Sequence, residues 1–308
     1  MGIVYSFSKF ISLNEGGAAI KTSKSIREDE FPATFDSIKS VLLPIFGFDE
    51  KSDDYLVIGS IGKKPNPEDV SGDLDFGFEW EKVAKKLGTT TKRDTLSSLY
   101  DILKQELPEK LGFEPEMNLM MGLNILSIGW PIKGDPKFGV VQLDLIPLSD
   151  LSWAKFAYYS PDYRKGESKY KSAHRNWLFQ SILSAMKEVT AEDENGEPLD
   201  IDTYVFDFSD GLFKTKKTFR GKRGRLKSPT KVEGAQRELV TNVPQEFLDF
   251  AMGPGFNPDE VKTFEDLLKA IKSPKFRDKQ NRPQIKEEFK RYLERTPLVM
   301  PSEIETLN

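Results

Sequence analysis

The sequence predicts an α+β protein: a small mixed sheet flanked by helices, then a mostly helical C-terminal region carrying a β-hairpin. Three observations predict it. Residues 55–58, 73–80, 124–132 and 138–148 are short apolar or alternating runs with the two-residue period of strands. Runs with apolar residues at helical spacing lie between and after them. The character of the chain changes after Asp150, and the breaker-rich stretch 160–166 (Ser-Pro-Asp-Tyr-Arg-Lys-Gly) divides residues 1–160 from 161–308.

In chain order, residues 1–33 have weak periodicity and small or polar residues (Gly16, Gly17, Ala18, Ala19), which suggests a loosely packed lead-in. The spacing of Phe35, Ile38, Val41, Leu42 and Ile45 predicts a helix over 34–46, with Thr34 as its cap. A strand over 55–58 ends at Gly59-Ser60, and a Gly-, Lys- and Pro-rich loop runs over 61–72. Residues 73–80 alternate as a half-buried strand does. Helices are expected over 80–87 and 92–111, then two strands joined across Lys133-Gly134-Asp135-Pro136. Beyond Asp150, helices are expected over 151–159 and 172–189 and an acidic loop over 190–198. A hairpin is expected around Ser209-Asp210-Gly211, pairing 204–208 with 212–219. Helices over 245–252, 263–272 and 285–295 complete the chain, with no internal repeat.

Composition narrows the chemistry. The absence of cysteine among 308 residues excludes disulfides, zinc–thiolate sites and thiol nucleophiles. The single histidine, His174, makes any Ser-His-Asp triad depend on that one residue. Catalysis must then rest on carboxylates, Lys/Arg, hydroxyls and backbone, a set whose natural partner is a divalent cation with oxygen ligands. No apolar run is long enough to cross a bilayer, and the first residues lack a basic stretch followed by an apolar one, so a cytoplasmic setting without membrane attachment is expected. The net charge of -4, from 45 Lys+Arg against 49 Asp+Glu, does not mark a nucleic-acid binder in bulk, although the basic residues are clustered.

Three elements in a fixed order carry the chemistry: Gly59-Ser60 at the end of an apolar strand, Asp73-Leu74-Asp75 on the next strand, and Asp144 within Val141-Gln142-Leu143-Asp144-Leu145-Ile146. On a strand, residues two apart share a face, so Asp73 and Asp75 stand side by side. Two such carboxylates repel unless a cation neutralises them. If Asp144 joins them from a neighbouring strand, three carboxylates can bridge two Mg²⁺ (or Mn²⁺) ions about 3.5–4 Å apart. One ion would activate an acceptor hydroxyl and the other would stabilise departing pyrophosphate. Gly59-Ser60 suits a tight turn whose N–H groups and hydroxyl cradle phosphate, and Lys63 and Lys64 just beyond could reach triphosphate oxygens. A second Asp-x-Asp, Asp200-Ile201-Asp202, has no Gly-Ser strand before it and is read as a decoy.

In these elements the sequence resembles the polymerase-β-like nucleotidyltransferases, in their minimal, non-templated form. Gly59-Ser60, Asp73/Asp75 and Asp144 match that family's pattern element by element, and Leu143-Asp144-Leu145-Ile146-Pro147 followed by an aromatic-rich segment (Trp153, Phe156, Tyr158, Tyr159) extends the match across residues 34–160. One departure is Ser71-Gly72 before the first aspartate, where many members have serine directly adjacent. The resemblance implies a nucleotidyltransferase palm over 1–160, with Asp73, Asp75 and Asp144 both catalytic and metal-holding. It further implies an NTP substrate and a contribution of Lys171, Arg175 and Asn176 to nucleotide binding.

The basic segment that includes Lys216, Lys217, Arg220, Lys222, Arg223 and Arg225 is the densest in the chain and could neutralise nucleic-acid phosphates. The expected activity is transfer of a nucleoside monophosphate to a hydroxyl, of an RNA (such as tRNA) or DNA end. The alternatives are a protein or small-molecule acceptor, or an inactive fold that serves as a binding module.

Overall fold

The computed structural model describes residues 19–192, 198–218 and 237–308. The described residues divide into two units, 19–169 in one and 170 onward in the other. The division falls a little beyond the breaker stretch 160–166.

The described residues of the first unit comprise β1 (Ile26–Arg27), α1 (Phe31–Phe46), β2 (Tyr55–Ile58), β3 (Val70–Ser71), β4 (Asp73–Glu79), α2 (Trp80–Leu87), α3 (Lys92–Leu111), β5 (Met117–Met120), β6 (Ile125–Pro131), β7 (Val140–Leu148) and α4 (Leu151–Ala157). Five strands form one sheet in the order β2-β4-β7-β6-β5, while β1 and β3 form a separate short pair. Only β4 and β7 run parallel in the five-stranded sheet; its other pairs are antiparallel.

The two-residue period sorts this sheet into two faces. Leu74, Phe76 and Phe78 of β4 join Leu143 and Leu145 of β7 and Leu126, Ile128 and Trp130 of β6 in the main core. Ile38, Leu42 and Phe46 of α1 and Leu96, Leu99, Leu103 and Leu107 of α3 cover it. The opposite face carries Asp73, Asp75, Gln142 and Asp144, and at one end a small core of Ile58, Ile146, Leu148, Ile125 and Ala154. One face therefore supplies stability and the other presents the polar groups.

Four local features depart from the sequence expectation, each for a physical reason. Pro32, preorganised for a first helical turn, starts α1 at Phe31. Thr34 consequently sits inside α1, where its hydroxyl donates to Glu30 O at 2.8 Å and accepts from Lys133 N at 2.8 Å. The lead-in and the 61–72 loop contribute β1 and β3, paired through Ile26–Ser71 and Arg27–Val70. Strand β5, in a stretch to which the sequence assigns no element, folds back on β6 over a turn in which Asn124 takes φ 52°, a conformation asparagine tolerates.

The second unit contains α5 (Ser172–Ala185), β8 (Glu188–Glu192), β9 (Pro198–Asp207), β10 (Gly211–Thr218), β11 (Arg237–Thr241), α6 (Pro244–Met252), α7 (Phe264–Lys272) and α8 (Arg282–Leu293). The expected hairpin is the centre of a four-stranded antiparallel sheet, β11-β10-β9-β8. Helix α5 ends at Ala185 rather than near 189, and the β-branched Val189 and Thr190 continue as a strand against β9 where an acidic loop was expected. Helix α5 is apolar on most sides, and Trp177, Phe179 and Ile182 are buried in it. Phe179 meets Phe206 and Phe247 in a cluster with ring centroids 5.0–5.5 Å apart. Thr263 caps α7 through a reciprocal capping box with Asp266. Among the described residues no helix is long and apolar enough to cross a membrane.

Gly77 tests the construction of the acidic face, because a Cβ there would stand 2.5 Å from Leu148 Cδ1 and 2.9 Å from Ile58 Cδ1. Gly77→Ala should lower unfolding free energy by about 1–3 kcal/mol through overpacking, as measured by urea denaturation.

Candidate active site

Parallel pairing brings the distant aspartate to its expected neighbours. In the β4–β7 register Asp75 lies opposite Asp144 and Asp73 opposite Gln142. Because paired residues share a face and residues two apart share it too, Asp73, Asp75 and Asp144 stand together. On the other side of β7, Ser127 of β6 pairs with Asp144. β4 and β7 are neighbours inside the sheet, so the pair Asp75–Asp144 is flanked by strands on both sides.

The Gly-Ser turn closes on the same group. Ile58 pairs with Asp75, and the chain leaves β2 through Gly59 at φ +88°, a backbone conformation that disfavours any side chain. A Cβ on Gly59 would lie 3.5 Å from Asp75 Oδ2, so the backbone of this turn runs directly beside that carboxylate. The turn continues with Lys63 N donating to Ser60 O at 3.2 Å. Glu28, just past β1, accepts the Lys64 N–H at 3.4 Å and ties the loop to the lead-in.

The electrostatics are those of crowded acids. Burial raises the Asp75 carboxyl well above its ordinary range, and the negative charges of Asp73 and Asp144 push it further. Burial also raises Asp144, against the opposing effect of Ser127 and Gln142. Among the described residues no Lys or Arg pairs with Asp75 or Asp144. The second Asp-x-Asp is a contrast: on β9, Asp202 pairs with Lys214 at 2.7 Å and Asp200 with Lys216 at 2.9 Å. Asp200 and Asp202 are neutralised by lysines of the adjacent strand, whereas Asp75 has Asp73 and Asp144 as its charged neighbours.

Asp75 Oδ1 is buried and accepts no hydrogen bond among the described residues, which is costly for a carboxylate and is the deficit a cation would fill. The donor set is all oxygen, which suits Mg²⁺ or Mn²⁺. Among the described residues no group of three His, Cys, Asp or Glu side chains is arranged to hold a metal ion as it stands. Asp144 is instead turned to Gln142, whose Nε2 donates to both its oxygens at 3.0 Å. A carboxylate has about four lone-pair sites, so one amide leaves it capacity for a cation. The residues therefore fit a divalent ion.

The remaining sequence-predicted residues are placed differently. Lys63 Nζ donates to Ser160 O at 3.1 Å, and burial lowers its pKa despite nearby Asp162 and Glu167. Lys64 Nζ donates to Ser71 Oγ at 2.7 Å and to Val70 O, which engages the serine that departs from the family pattern. Lys171 is exposed at the start of α5. Arg175 is buried within its own unit, donating through Nε to Val261 O at 2.7 Å and through Nη1 to Asn176 Oδ1 at 3.2 Å, with the guanidinium over Phe179. That environment suits packing of α5. Of the basic segment, Lys216 lies exposed on β10 in its ion pair with Asp200, and Lys217 follows on the same strand. Arg220, Lys222, Arg223 and Arg225 lie outside the described residues.

The structure adds residues that no motif announced: Gln142, Ser127 and the backbone of Ala19 and Ile20. Gln142 carried one available signal, its position two residues before Asp144 on the same strand face. Compared with protein-family models, with curated proteins and with solved structures, the chain matches none of them.

The raised Asp75 carboxyl has a signed consequence. A carboxyl whose folded pKa lies above its unfolded value of about 3.8 contributes stability that is complete below that value and lost as pH rises through the folded pKa. Metal-free protein therefore loses this contribution progressively as pH rises above about 3.8. Asp75→Asn should melt higher than the parent in EDTA at about pH 7, by a few degrees, with the gap closing toward about pH 4. Mg²⁺ should stabilise the parent and not the variant; calorimetric scans across pH check both.

Proposed function

We propose that the chain is a divalent-metal-dependent nucleotidyltransferase that moves a nucleoside monophosphate from an NTP to an acceptor hydroxyl and releases pyrophosphate. The observation that carries this reading is the parallel register of β4 and β7, which puts Asp75 opposite Asp144 with Asp73 on the same face and the Gly59 turn beside them. Asp73, Asp75 and Asp144 would hold Mg²⁺ or Mn²⁺. Bound there, the metal would make the acceptor hydroxyl more acidic and offset charge on the departing pyrophosphate.

The chain's own groups account for the rest. The turn at Gly59-Ser60 offers N–H donors and a hydroxyl to phosphate oxygens close to Asp75, without a side chain at Gly59 to obstruct approach. Burial of Asp144 and of Asp75 Oδ1 keeps water from these oxygens, which strengthens the charge interactions made there. Because Lys63 Nζ donates to Ser160 O, its use as a triphosphate ligand requires it to exchange that carbonyl for phosphate.

The acceptor is proposed to be a nucleic-acid end, an RNA such as tRNA or a DNA, on the strength of the basic residues between 214 and 231. A second reading, a protein or small-molecule acceptor, is favoured by the pairing of Lys214 and Lys216 with Asp202 and Asp200, which spends their charge within the sheet.

Incubation of the chain with each α-labelled NTP, Mg²⁺ or Mn²⁺ and a total RNA pool tests the reading. Label should enter RNA with the parent, and the rate should fall at least about 10³-fold with Asp73→Ala/Asp75→Ala, given the magnitude of lost transition-state charge stabilisation. Label on protein or small molecules would select the second acceptor class. No incorporation anywhere, with NTP binding unaffected by the double substitution, would overturn the assignment.

A further inference from the structure

We propose that Gln142 is a positioning residue for the metal-holding carboxylate Asp144, and that it makes the backbone of the N-terminal lead-in a working part of the site. This rests on the reading of Asp73, Asp75 and Asp144 as metal ligands. Gln142 and Asp144 share a face of β7, and Gln142 Nε2 lies 3.0 Å from each oxygen of Asp144. The other end of the same amide faces two donors: Ala19 N and Ile20 N point to Gln142 Oε1 at 3.0 and 3.1 Å.

This arrangement leaves the amide only one orientation. Backbone N–H groups can only donate, so the oxygen must face residues 19 and 20, and the NH₂ must then face Asp144. The carboxylate is consequently presented in one plane before any cation arrives. Interactions of this kind behind a ligand hold it in place and tune its affinity.

The lead-in is itself anchored, which gives the amide a fixed reference. Glu116 accepts from Lys21 N at 3.2 Å, Thr22 N at 3.3 Å and Thr22 Oγ1 at 3.2 Å. Lys24 N donates to Val140 O at 2.9 Å at the start of β7. Ile20 is buried over Gly129, opposite Gln142 in the β6–β7 register, where an added Cβ would stand 3.3 Å from Ile20 Cγ2. The absence of a side chain at Gly129 lets the lead-in come down onto the acidic face close enough to reach Gln142.

A purely architectural role would have Gln142 tether the lead-in with no bearing on the cation. Titration of the full chain with Mn²⁺ alone, followed by electron paramagnetic resonance and calorimetry, separates the two. Three variants accompany the parent: Asp144→Asn, Gln142→Met and Ala19→Pro. Methionine keeps the length of Gln142 and removes its donor. Proline removes one of the two N–H groups that orient the amide, at a half-exposed position. Gln142→Met should weaken Mn²⁺ binding about tenfold or more, and Ala19→Pro should weaken it in the same direction by less, whatever either does to the metal-free melting temperature. Asp144→Asn weakening Mn²⁺ while Gln142→Met leaves it unchanged would overturn the positioning role alone. Mn²⁺ affinity unaffected by Asp144→Asn would overturn the metal reading beneath it. Should Gln142→Met fail to fold, Ala19→Pro decides the matter, an unchanged affinity counting against the proposal.

Discussion

The first unit is organised around one pairing, the parallel contact of β4 with β7. Parallel neighbours cannot be joined by a tight turn and need a crossover of a dozen or more residues. Here the crossover from Glu79 to Val140 contains α2, α3, β5 and β6, so a large part of the unit is the connection that this pairing demands. The same crossover supplies the helix α3 that covers the apolar face and the strand β6 that flanks β7 on the other side. Separation of Asp75 and Asp144 in sequence, and their adjacency in space, are one fact seen from two sides.

Concentrating like charges on one face is unfavourable, and the surroundings show how the fold contains it. Among the described residues no Lys or Arg pairs with Asp75 or Asp144, unlike the aspartates of β9, which sit beside Lys214 and Lys216. Neutral donors do part of the work: the amide of Gln142 serves both oxygens of Asp144. Geometry does the rest, because glycine at 59, 77 and 129 lets a turn, a small apolar core and the lead-in approach the acids closely. A face neutralised internally by lysines would have little left to offer a cation.

Much of this architecture could be read from residue patterns. The alternating and apolar runs located β2, β4, β6 and β7, and helical spacing located α1 through α4 to within a few residues, because burial of one face imprints its period on the sequence. Asp73, Asp75 and Asp144 were recognisable as a set because carboxylates on one strand face, or within an apolar strand, are energetically conspicuous. What escaped were contacts without a period. Strand β5 (Met117–Met120) has too few residues to show one, β1 and β3 pair over two residues each, and β8 begins where the helical spacing of α5 has not visibly ended. The Gln142 contact joins a side chain to the backbone of residues 19 and 20, and backbone donors leave no mark on residue type. Arg175, a charged residue that the sequence offers for nucleotide binding, is buried, donating to the Val261 carbonyl and the Asn176 amide and lying over the Phe179 ring, contacts that residue type alone does not announce.

The central position of β7 also governs how the unit can assemble. The β2–β4 and β5–β6 pairs are each antiparallel and close in sequence, so both can form early, but they remain two separate ribbons until β7 enters between them. Until then each exposes one edge of unpaired N–H and C=O groups, the condition that invites pairing with another chain. On a ribosome that interval lasts until residue 148 has emerged, after which a single insertion closes both edges at once. Non-local pairing of this kind is slow to form, and the same event brings Asp144 to Asp73 and Asp75.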